Sequence, residues 1–390
     1  MRSASLLLLL PLTAATWSGC ASVSPRPDRA RAEDLPVRDL TAEQRAAVAA
    51  HVERAMDRLS AAQDDAAQAA AAAALAIDPR CARARAVLGL VSLHRAQQVE
   101  PPDLQLANAG EVDAVLAEQL APQDAFVGWA HAVFLAASGH VSAAATIAEA
   151  AIARTGTAPA DERAALLGIA GHCRYELGEE RAALPLLQAY IGLRPDSAEA
   201  CFRIGRCLLR VAETPLAKEL DKAQRDVEAA VRAFTRCAEL APDDADAALA
   251  IGAAMFRAGE IAGRRGDRPA SERWFAAAAD HFRALAERWP TLPEASFRLG
   301  VVAEQRQDEA GAAAAYGEAL RRHPEHLGSL LNLAALAERG GDRPRAEGLW
   351  RTALRVGAAD GLLTDAERAA LAKRLQPATD PAPASPATRP

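Results

Sequence analysis

Small residues recur directly after apolar ones along most of the chain, and we take each as the middle of a predicted helix. They are Gly89, Ala132, Gly171, Gly205, Gly252, Gly300 and Ala334. The intervals between them are 43, 39, 34, 47, 48 and 34 residues, so the shortest interval occurs twice and the others exceed it. An interval of this length suits two antiparallel helices joined by a turn. The pattern therefore predicts a series of helical hairpins, some of which carry insertions.

A second pattern lies within each interval and indicates how such hairpins pack. Tyr316 stands three residues before Ala319 and eight before Pro324, and Trp350 stands three residues before Ala353. Two helices approach closely only where one of them carries Gly or Ala, and an aromatic ring fills the gap left between successive pairs. Proline ends the second helix because it lacks an amide donor and clashes with the preceding turn. Further closing prolines are Pro79, Pro122, Pro195, Pro242 and Pro290.

Together these positions resemble the tetratricopeptide repeat. The residues that match the family's Leu-Gly pair, alanine, aromatic, alanine and closing proline are Leu299, Gly300, Ala312, Tyr316, Ala319 and Pro324, and one repeat later Leu333, Ala334, Ala346, Trp350 and Ala353. The resemblance implies an all-α fold, a right-handed α-solenoid of about seven to eight helix-turn-helix repeats over residues 41–357. The first repeat, from Val48 to Pro79, lacks the aromatics and is expected to be an N-terminal cap.

Two neighbouring repeats, at about 198–242 and 245–290, are predicted to be longer than the rest. The sequence GDRP occurs at 266–269 and again at 341–344, each time where the turn between two helices is expected. Counted from Gly252, the first copy lies seven residues late, and seven residues are close to two helical turns. Both helices of that hairpin should therefore be about two turns longer than usual. The insertion near residues 212–224 is expected to lengthen the second helix of the preceding repeat.

The C-terminal part separates into a helix and a tail. Residues 358–375 are predicted to form a capping helix, because Thr364 and Glu367 have the spacing of a capping box and Leu371 falls on the apolar face. Such a helix can cover the end of a repeat array. Residues 376–390 are rich in Pro and Ala and are expected to be a disordered tail.

The N-terminus has the layout of a secretory signal peptide, with Arg2, an apolar run and then small residues. Its end resembles the lipobox of bacterial lipoproteins, which implies a signal peptide at 1–19 and lipidation of Cys20. Ordinary cleavage after Ala21 is the alternative. Because the family retains proteins with Asp after the cysteine in the inner membrane, Ala21 implies an outer membrane lipoprotein that faces the periplasm. Residues 20–40 are predicted to be a flexible tether.

Composition and charge limit the fold class and the classes of binding partner that the sequence favours. Only 4% of the 390 residues are aromatic, while 51% are hydrophobic, which favours closely packed helices over a β-sandwich. The net charge is −6 and the basic residues are interspersed with acidic ones, so no basic stripe suited to nucleic acid is present. A protein or peptide ligand and, through Cys20, a membrane are the expected partners. The sequence does not indicate the oligomeric state.

No catalytic or cofactor motif is found, so the sequence predicts no enzyme, no cofactor and no metal site. His172 and Cys173 are adjacent, but neighbouring residues on a helix point in different directions, and a buried apolar cysteine is the favoured interpretation. The acidic run at 243–246 is interpreted as the charged start of a helix. The five cysteines after Cys20 are expected to be free thiols, with a Cys207–Cys237 bridge as the alternative.

A groove is the candidate binding site. In solenoids of this family the first helices line the concave face, and residues with three- and four-residue spacing form its stripe. The residues that we predict to line the groove are Phe126, Trp129, His172, Phe202, Arg206, Leu209, Arg210, Leu249, Phe256, Arg257 and Phe297. Large apolar side chains among arginines favour a protein-binding surface. The alternative is that superhelical curvature or the long repeats bury these side chains.

The sequence thus predicts a membrane-anchored adaptor or scaffold lipoprotein that binds a protein or peptide segment in its concave groove, in envelope or pilus-type assembly. Two alternatives stay open. One is a regulatory or enzymatic subunit that acts on envelope polymers. The other is a structural protein that self-associates through the same groove.

Overall fold

The structure is a computed structural model that describes residues 31–156, 158–213, 217–359 and 361–375. These residues form seventeen α-helices and no strand, as expected for the all-α fold. Among these helices none is both long enough and apolar enough to span a bilayer. The predicted signal peptide, Cys20 and the first half of the tether lie outside the described residues, as does the predicted tail at 376–390.

The chain divides into two compact units, one up to residue 213 and one from residue 214. Unit 1 contains nine helices that pack as four successive hairpins followed by α9. They are α1 Ala42–Ser60, α2 Asp64–Ile77, α3 Ala82–Gln97, α4 Leu104–Leu120, α5 Ala125–Ala137, α6 Val141–Arg154, α7 Ala160–Glu176, α8 Glu180–Leu193 and α9 Ala198–Val211. The first helices of successive hairpins, α1, α3, α5 and α7, also pack side by side, and α9 continues this row.

Unit 2 contains eight α-helices, in which α10 packs on the first of three hairpins and α17 on the last. They are α10 Leu220–Leu240, α11 Ala245–Arg264, α12 Arg268–Arg288, α13 Pro293–Gln305, α14 Glu309–Arg322, α15 Leu327–Arg339, α16 Arg343–Ala359 and α17 Asp365–Arg374. The predicted repeat 198–242 is therefore divided, because α9 belongs to unit 1 and α10 to unit 2.

Hairpins are closed by the small residues that the sequence pattern singles out. A Cβ atom placed on Gly300 would lie 2.5 Å from Cε1 of Tyr316, and one on Gly252 would lie 2.5 Å from Cζ of Phe282. In α3 the neighbouring atom belongs to the backbone of the facing helix, because a Cβ on Gly89 would lie 2.9 Å from the backbone oxygen of Gly110 in α4. Glycine is thus required at these positions by the neighbouring helix, as the packing argument predicts.

Where a glycine of one helix meets the facing helix of its hairpin, we call the contact a seam. Gly300 and Gly317 offer a matched test of the seam in their hairpin. Both lie in the hairpin α13–α14, but a Cβ on Gly317 would meet nothing within 4 Å. We expect Gly317→Ala to stabilise the protein by up to about 1 kcal/mol through helix propensity. Gly300→Ala gains the same propensity yet overpacks a buried ring, at a cost of about 1–3 kcal/mol, so it should destabilise. Urea unfolding of both variants measures the difference, and equal effects would contradict the seam.

The extra length of the predicted long hairpin lies in both of its helices. The helices α11 and α12 have 20 and 21 residues, whereas α13 and α14 have 13 and 14. The first GDRP sequence forms the turn, with Gly266 at a φ of 80° and the Asp267 side chain accepting a hydrogen bond from the Ala270 amide. The second copy repeats this arrangement at Gly341 and Asp342. Both copies therefore form turns between helices, as predicted.

Helix ends follow the predicted capping chemistry. Thr364 and Glu367 form both hydrogen bonds of a capping box at the start of α17, which confirms that prediction. Leu371 of α17 is buried, and the guanidinium of Arg374 lies over the Trp350 ring at 5.1 Å. In the acidic run at 243–246, the Asp244 side chain accepts a hydrogen bond from the Ala247 amide, so the run does begin a helix.

The described part of the predicted tether, residues 31–40, is not free. It contains a short 3₁₀-helix, Ala32–Asp34, and its backbone and side chains form hydrogen bonds with α2, α4 and the loop before α3. The expectation of a flexible segment is wrong for these ten residues. Composition alone did not indicate it, because the donors that hold them belong partly to Arg80, which is distant in sequence.

Candidate functional site

The predicted groove residues fall on the first helices of both units. We call the side of α3, α5, α7 and α9 that carries them the first-helix face of unit 1. It contains seven of the predicted residues: Phe126, Trp129, His172, Phe202, Arg206, Leu209 and Arg210. The other four, Leu249, Phe256, Arg257 and Phe297, lie in unit 2 on α11 and α13.

At α3 and α5 the predicted side chains of the first-helix face of unit 1 are buried, and we call this the closed end of the face. Phe126 is 3% exposed and Trp129 is 8% exposed, and both belong to the core of the unit. Their ring centroids lie 5.6 Å apart at a tilt of 40°. The prediction that these two rings are exposed is therefore wrong. Self-burial, the alternative considered from the sequence, describes this end of the face.

Arg83 explains much of the closure. Its Nε donates to Asp124 at 2.6 Å, its Nη2 lies 3.0 Å from Glu162, and its guanidinium lies 5.7 Å from the centroid of the Phe126 ring. One side chain from α3 therefore links the cap of α5 to the first turn of α7 and covers Phe126. Burial by itself would lower the pKa of Arg83, but the hydrogen bonds and negative charges of Asp124 and Glu162 together raise it. Arg83 lies three residues before Ala86 in α3, the spacing that relates Phe126 to Trp129 in α5, and that spacing could have identified it.

At α7 and α9 the face is open. Arg206 is exposed and the Arg210 side chain is 52% exposed, while Phe202 and Leu209 on the same helix are half-buried. Arg210 forms an ion pair with Glu180 at 2.6 Å. Two further residues of this end were not among the predicted ones. The Tyr175 ring is half-buried, and the guanidinium of Arg203 lies 5.9 Å from its centroid while pairing with Glu199 at 2.7 Å.

His172 lies between the closed and the open ends. Its side chain is 12% exposed, its Nδ1 atom is buried without a hydrogen-bond partner, and the Glu176 carboxylate lies 3.9 Å away. Burial lowers the pKa of His172 to about 4, and the nearby Arg203 acts in the same direction. The imidazole is therefore neutral at neutral pH and presents an unsatisfied nitrogen.

Cys173 does not form a nucleophilic pair with His172. The cysteine is fully buried, and burial raises the pKa of its thiol to about 12. The interpretation of Cys173 as a buried apolar residue is confirmed. All five described cysteines, Cys81, Cys173, Cys201, Cys207 and Cys237, are free thiols, so the alternative of a Cys207–Cys237 bridge is wrong. Within the described ranges, no cluster of three or more His, Cys, Asp or Glu could hold a metal ion.

In unit 2 the predicted apolar residues pack mainly against their own hairpins. Phe256 lies 5.4 Å from the Phe275 ring, and Leu249 is half-buried against the same core cluster. Phe297 lies 5.8 Å from Tyr316 and packs against the bare backbone of Gly328. These rings therefore fill spaces between helices.

A shallow cavity of about 330 Å³ opens beside Arg257. It lies where α11 and α12 extend past the end of α13, and its lining also includes Gly259, Gly263 and Gln305. Arg257 is engaged there, since it pairs with Glu260 at 2.9 Å. The cavity is thus a consequence of the two longer helices, and its arginine is already held in an ion pair.

Successive hairpins with glycine and aromatic seams define a helical-repeat protein. Residues 270–326, from within α12 to the residue before α15, match the family model of the tetratricopeptide repeat. This segment is a tetratricopeptide repeat, and the other hairpins of the chain resemble it. Repeats of this class are scaffolds for protein interaction, because stacked hairpins present extended binding surfaces.

The chain is also similar to solved structures. It covers 94% of a structure of PilF from Pseudomonas aeruginosa, over 64% of its own length, at 16% identity and a TM-score of 0.43. It covers 96% of a structure of MamA from Desulfovibrio magneticus, over 50% of its own length, at 16% identity and a TM-score of 0.39. It covers 72% of a structure of human IFIT1, over 80% of its own length, at 18% identity and a TM-score of 0.37. At TM-scores below 0.5 these similarities assign no function to this chain. No curated protein matches the sequence.

Proposed function

We propose that this protein is a membrane-anchored scaffold that holds a protein segment against the open end of the first-helix face of unit 1. The arrangement of Phe202, Arg206, Leu209 and Arg210 carries the proposal. Half-buried apolar side chains next to exposed guanidiniums on one helix resemble the composition of interface hot spots. The closed end at Phe126 and Trp129 is excluded from the site because its rings are already buried.

The chemistry of this end favours a particular kind of segment. Arg206 offers an exposed positive charge at the rim, and Phe202 on the same helix offers apolar surface, whereas Arg210 is already paired with Glu180. A segment with acidic side chains next to an apolar anchor would satisfy both, whether it is extended or helical. Envelope or pilus-type assembly is the process in which we propose that the scaffold acts.

Lipidation at Cys20 is the proposed anchor. It is supported by the sequence at residues 17–20, where small residues precede the cysteine after an apolar run. On this basis we propose the cell envelope as the location, with the protein on the outer membrane and facing the periplasm. Replacement of Cys20 by Ser should release the protein from the membrane fraction.

Charge reversal at the open end tests the binding site. We expect Arg206→Glu to weaken capture of the partner by about tenfold or more, because a rim charge that attracts acidic groups becomes repulsive. The measurement is co-isolation of envelope proteins with the lipidated full chain, followed by titration of the partner that is recovered.

The matched control is Arg181→Glu, which makes the same change at an exposed arginine on α8, the second helix of the preceding hairpin. It should leave capture unchanged. Equal losses in both variants would indicate a general effect of charge and contradict the site. Concentration-dependent mass of the isolated protein, abolished by Arg206→Glu, would instead identify a second copy of the chain as the occupant.

A further inference from the structure

Residues 31–40 run along one edge of unit 1, and we call them the arm. That edge is formed by the loops that join one hairpin to the next, at 78–81, 121–124 and 194–197, and we call it the inter-hairpin edge. The opposite edge carries the loops within hairpins, such as 138–140. The helix α5 runs from one edge to the other and has 13 residues, so the edges lie roughly 20 Å apart.

Four hydrogen bonds join the arm to α2 and to the loop before α3, and each side supplies one arginine. From the loop, Arg80 donates to the carbonyl oxygens of Ala32 and Leu35, at 2.7 and 3.3 Å. From the arm, Arg38 donates to the carbonyl oxygens of Ala76 and Ile77 at the end of α2, at 2.5 and 3.1 Å. Carbonyl oxygens in the last turn of a helix lack hydrogen-bond partners within the helix, and the helix dipole makes this end negative. A guanidinium there is therefore favoured both as a hydrogen-bond donor and as a positive charge.

The surface that receives the arm is itself fixed. Arg85 donates from Nε and Nη2 to the carbonyl oxygen of Pro79, at 3.0 and 2.9 Å, and also pairs with Asp113 of α4 at 2.7 Å. At its beginning the arm reaches the last turn of α4, where the Ala32 amide donates to the side chain of Gln119 at 2.8 Å. The arm therefore bridges the first two hairpins at defined points.

This docking sets where the chain that leads to Cys20 leaves the fold. If residues 21–40 were all free, the extended chain could reach about 70 Å. With the arm docked, only residues 21–30 lie between Cys20 and the fold, and ten residues span at most about 35 Å. The chain leaves beside the end of α4, on the inter-hairpin edge.

We infer that the inter-hairpin edge of unit 1 faces a lipid surface, because the docked arm halves the tether and fixes its exit on that edge. The inference rests on the proposed anchoring through Cys20. The arm is then an orienting element: it holds the edge with the loop 121–124 near the bilayer and the edge with the loop 138–140 away from it. With the arm docked, contact of the opposite edge with the bilayer would stretch the ten remaining residues over roughly 20 Å, more than half of their maximum reach, which is entropically unfavourable. A free tether of twice the length would cover the same distance at less than a third of its reach and would allow both orientations.

Two exposed loop residues at opposite ends of α5 report the orientation. Gln123 lies on the inter-hairpin edge and His140 on the opposite edge. Each is replaced, in separate preparations of the full lipidated chain, by an azide-bearing residue that is coupled to a fluorophore. The protein is reconstituted on vesicles of phosphatidylethanolamine and phosphatidylglycerol that contain a quencher linked to the lipid headgroup.

We expect stronger quenching at position 123 than at position 140. The double variant Arg38→Ala/Arg80→Ala should remove the difference by releasing the arm. Insertion of ten Gly/Ser residues between Ala30 and Arg31 leaves the arm contacts in place and should weaken quenching at position 123. Equal quenching at both positions, stronger quenching at 140, or no effect of the insertion would overturn the inference.

Flotation of the same vesicles separates this inference from the anchor. If the unmodified chain does not float with the vesicles, or if Cys20→Ser floats equally well, the anchoring proposal fails. If the chain floats through Cys20 but its two edges are quenched alike, anchoring stands and the orientation is wrong.

Discussion

Replacement of Tyr316 by Ala is expected to lower the free energy of unfolding by about 3–5 kcal/mol, the largest effect of any single substitution considered for this protein. The ring is fully buried and occupies the space that Gly300 leaves in α13. Its hydroxyl donates to Glu304 at 2.6 Å and accepts from the amide of Asn332 in α15 at 3.0 Å. The side chain thus joins its own hairpin to the next one.

Tyr316→Phe separates the two contributions. It keeps the ring and removes the hydroxyl, so we expect a loss of about 1–2 kcal/mol, with Glu304 still held by Arg339 at 2.6 Å. Urea unfolding of the full chain gives both values, and hydrogen exchange should assign the loss of protection to α13, α14 and α15. A loss below about 1 kcal/mol for Tyr316→Ala would mean that this seam does not hold the hairpins together.

Acidification from pH 6.5 towards pH 4 is expected to destabilise the protein through His172 by up to about 3 kcal/mol. Burial lowers the pKa of His172 to about 4, whereas the imidazole in the unfolded chain has the ordinary value of 6.5. Between these values the unfolded state binds a proton that the folded state does not. Stability therefore falls as the pH falls through this window, and the contribution is absent above pH 6.5.

The variant His172→Leu isolates this contribution. Because Nδ1 has no hydrogen-bond partner, the substitution leaves no polar group of the protein unpaired. The difference in unfolding free energy between the variant and the wild type should therefore grow from pH 7.5 to pH 4.5 in favour of the variant. A difference that is independent of pH would show that His172 ionises freely in the folded protein and would contradict the burial of its ring.

Carboxylates extend the acid sensitivity to lower pH. A hydrogen bond from His131 lowers the pKa of Glu118, with Arg154 acting in the same direction, and His326 has the same effect on Glu294. A depressed carboxyl pKa contributes stability above the unfolded value, which is lost as the pH falls through the folded one. This loss occurs below pH 4.5, so it does not overlap most of the window assigned to His172.

The helices and their seams could be predicted from the sequence because their causes are local. A glycine that faces an aromatic ring, an aspartate that caps a helix and the GDRP turn each follow from a few neighbouring residues, and Gly300, Asp244 and Gly266 behave accordingly. The lengths of α11 and α12 follow from the number of residues between such glycines, caps and turns.

The exposure of the predicted groove could not be obtained in this way. Whether Phe126 and Trp129 face solvent depends on how closely α3, α5 and α7 approach, and on Arg83, which reaches across all three. The division of the chain after residue 213 was also missed, because the spacing there reads as an insertion within a repeat. Both features depend on tertiary contacts that periodicity does not encode.

The most direct test of the proposed scaffold is photo-crosslinking in cells that produce the full chain. A benzophenone-bearing residue is placed at Arg206, on the open end of the first-helix face, or at Arg181 on α8, the second helix of the preceding hairpin. We predict an adduct of defined mass from position 206 and none from position 181. Adducts from 181 alone, equal adducts from both positions, or none from either would contradict binding at this face.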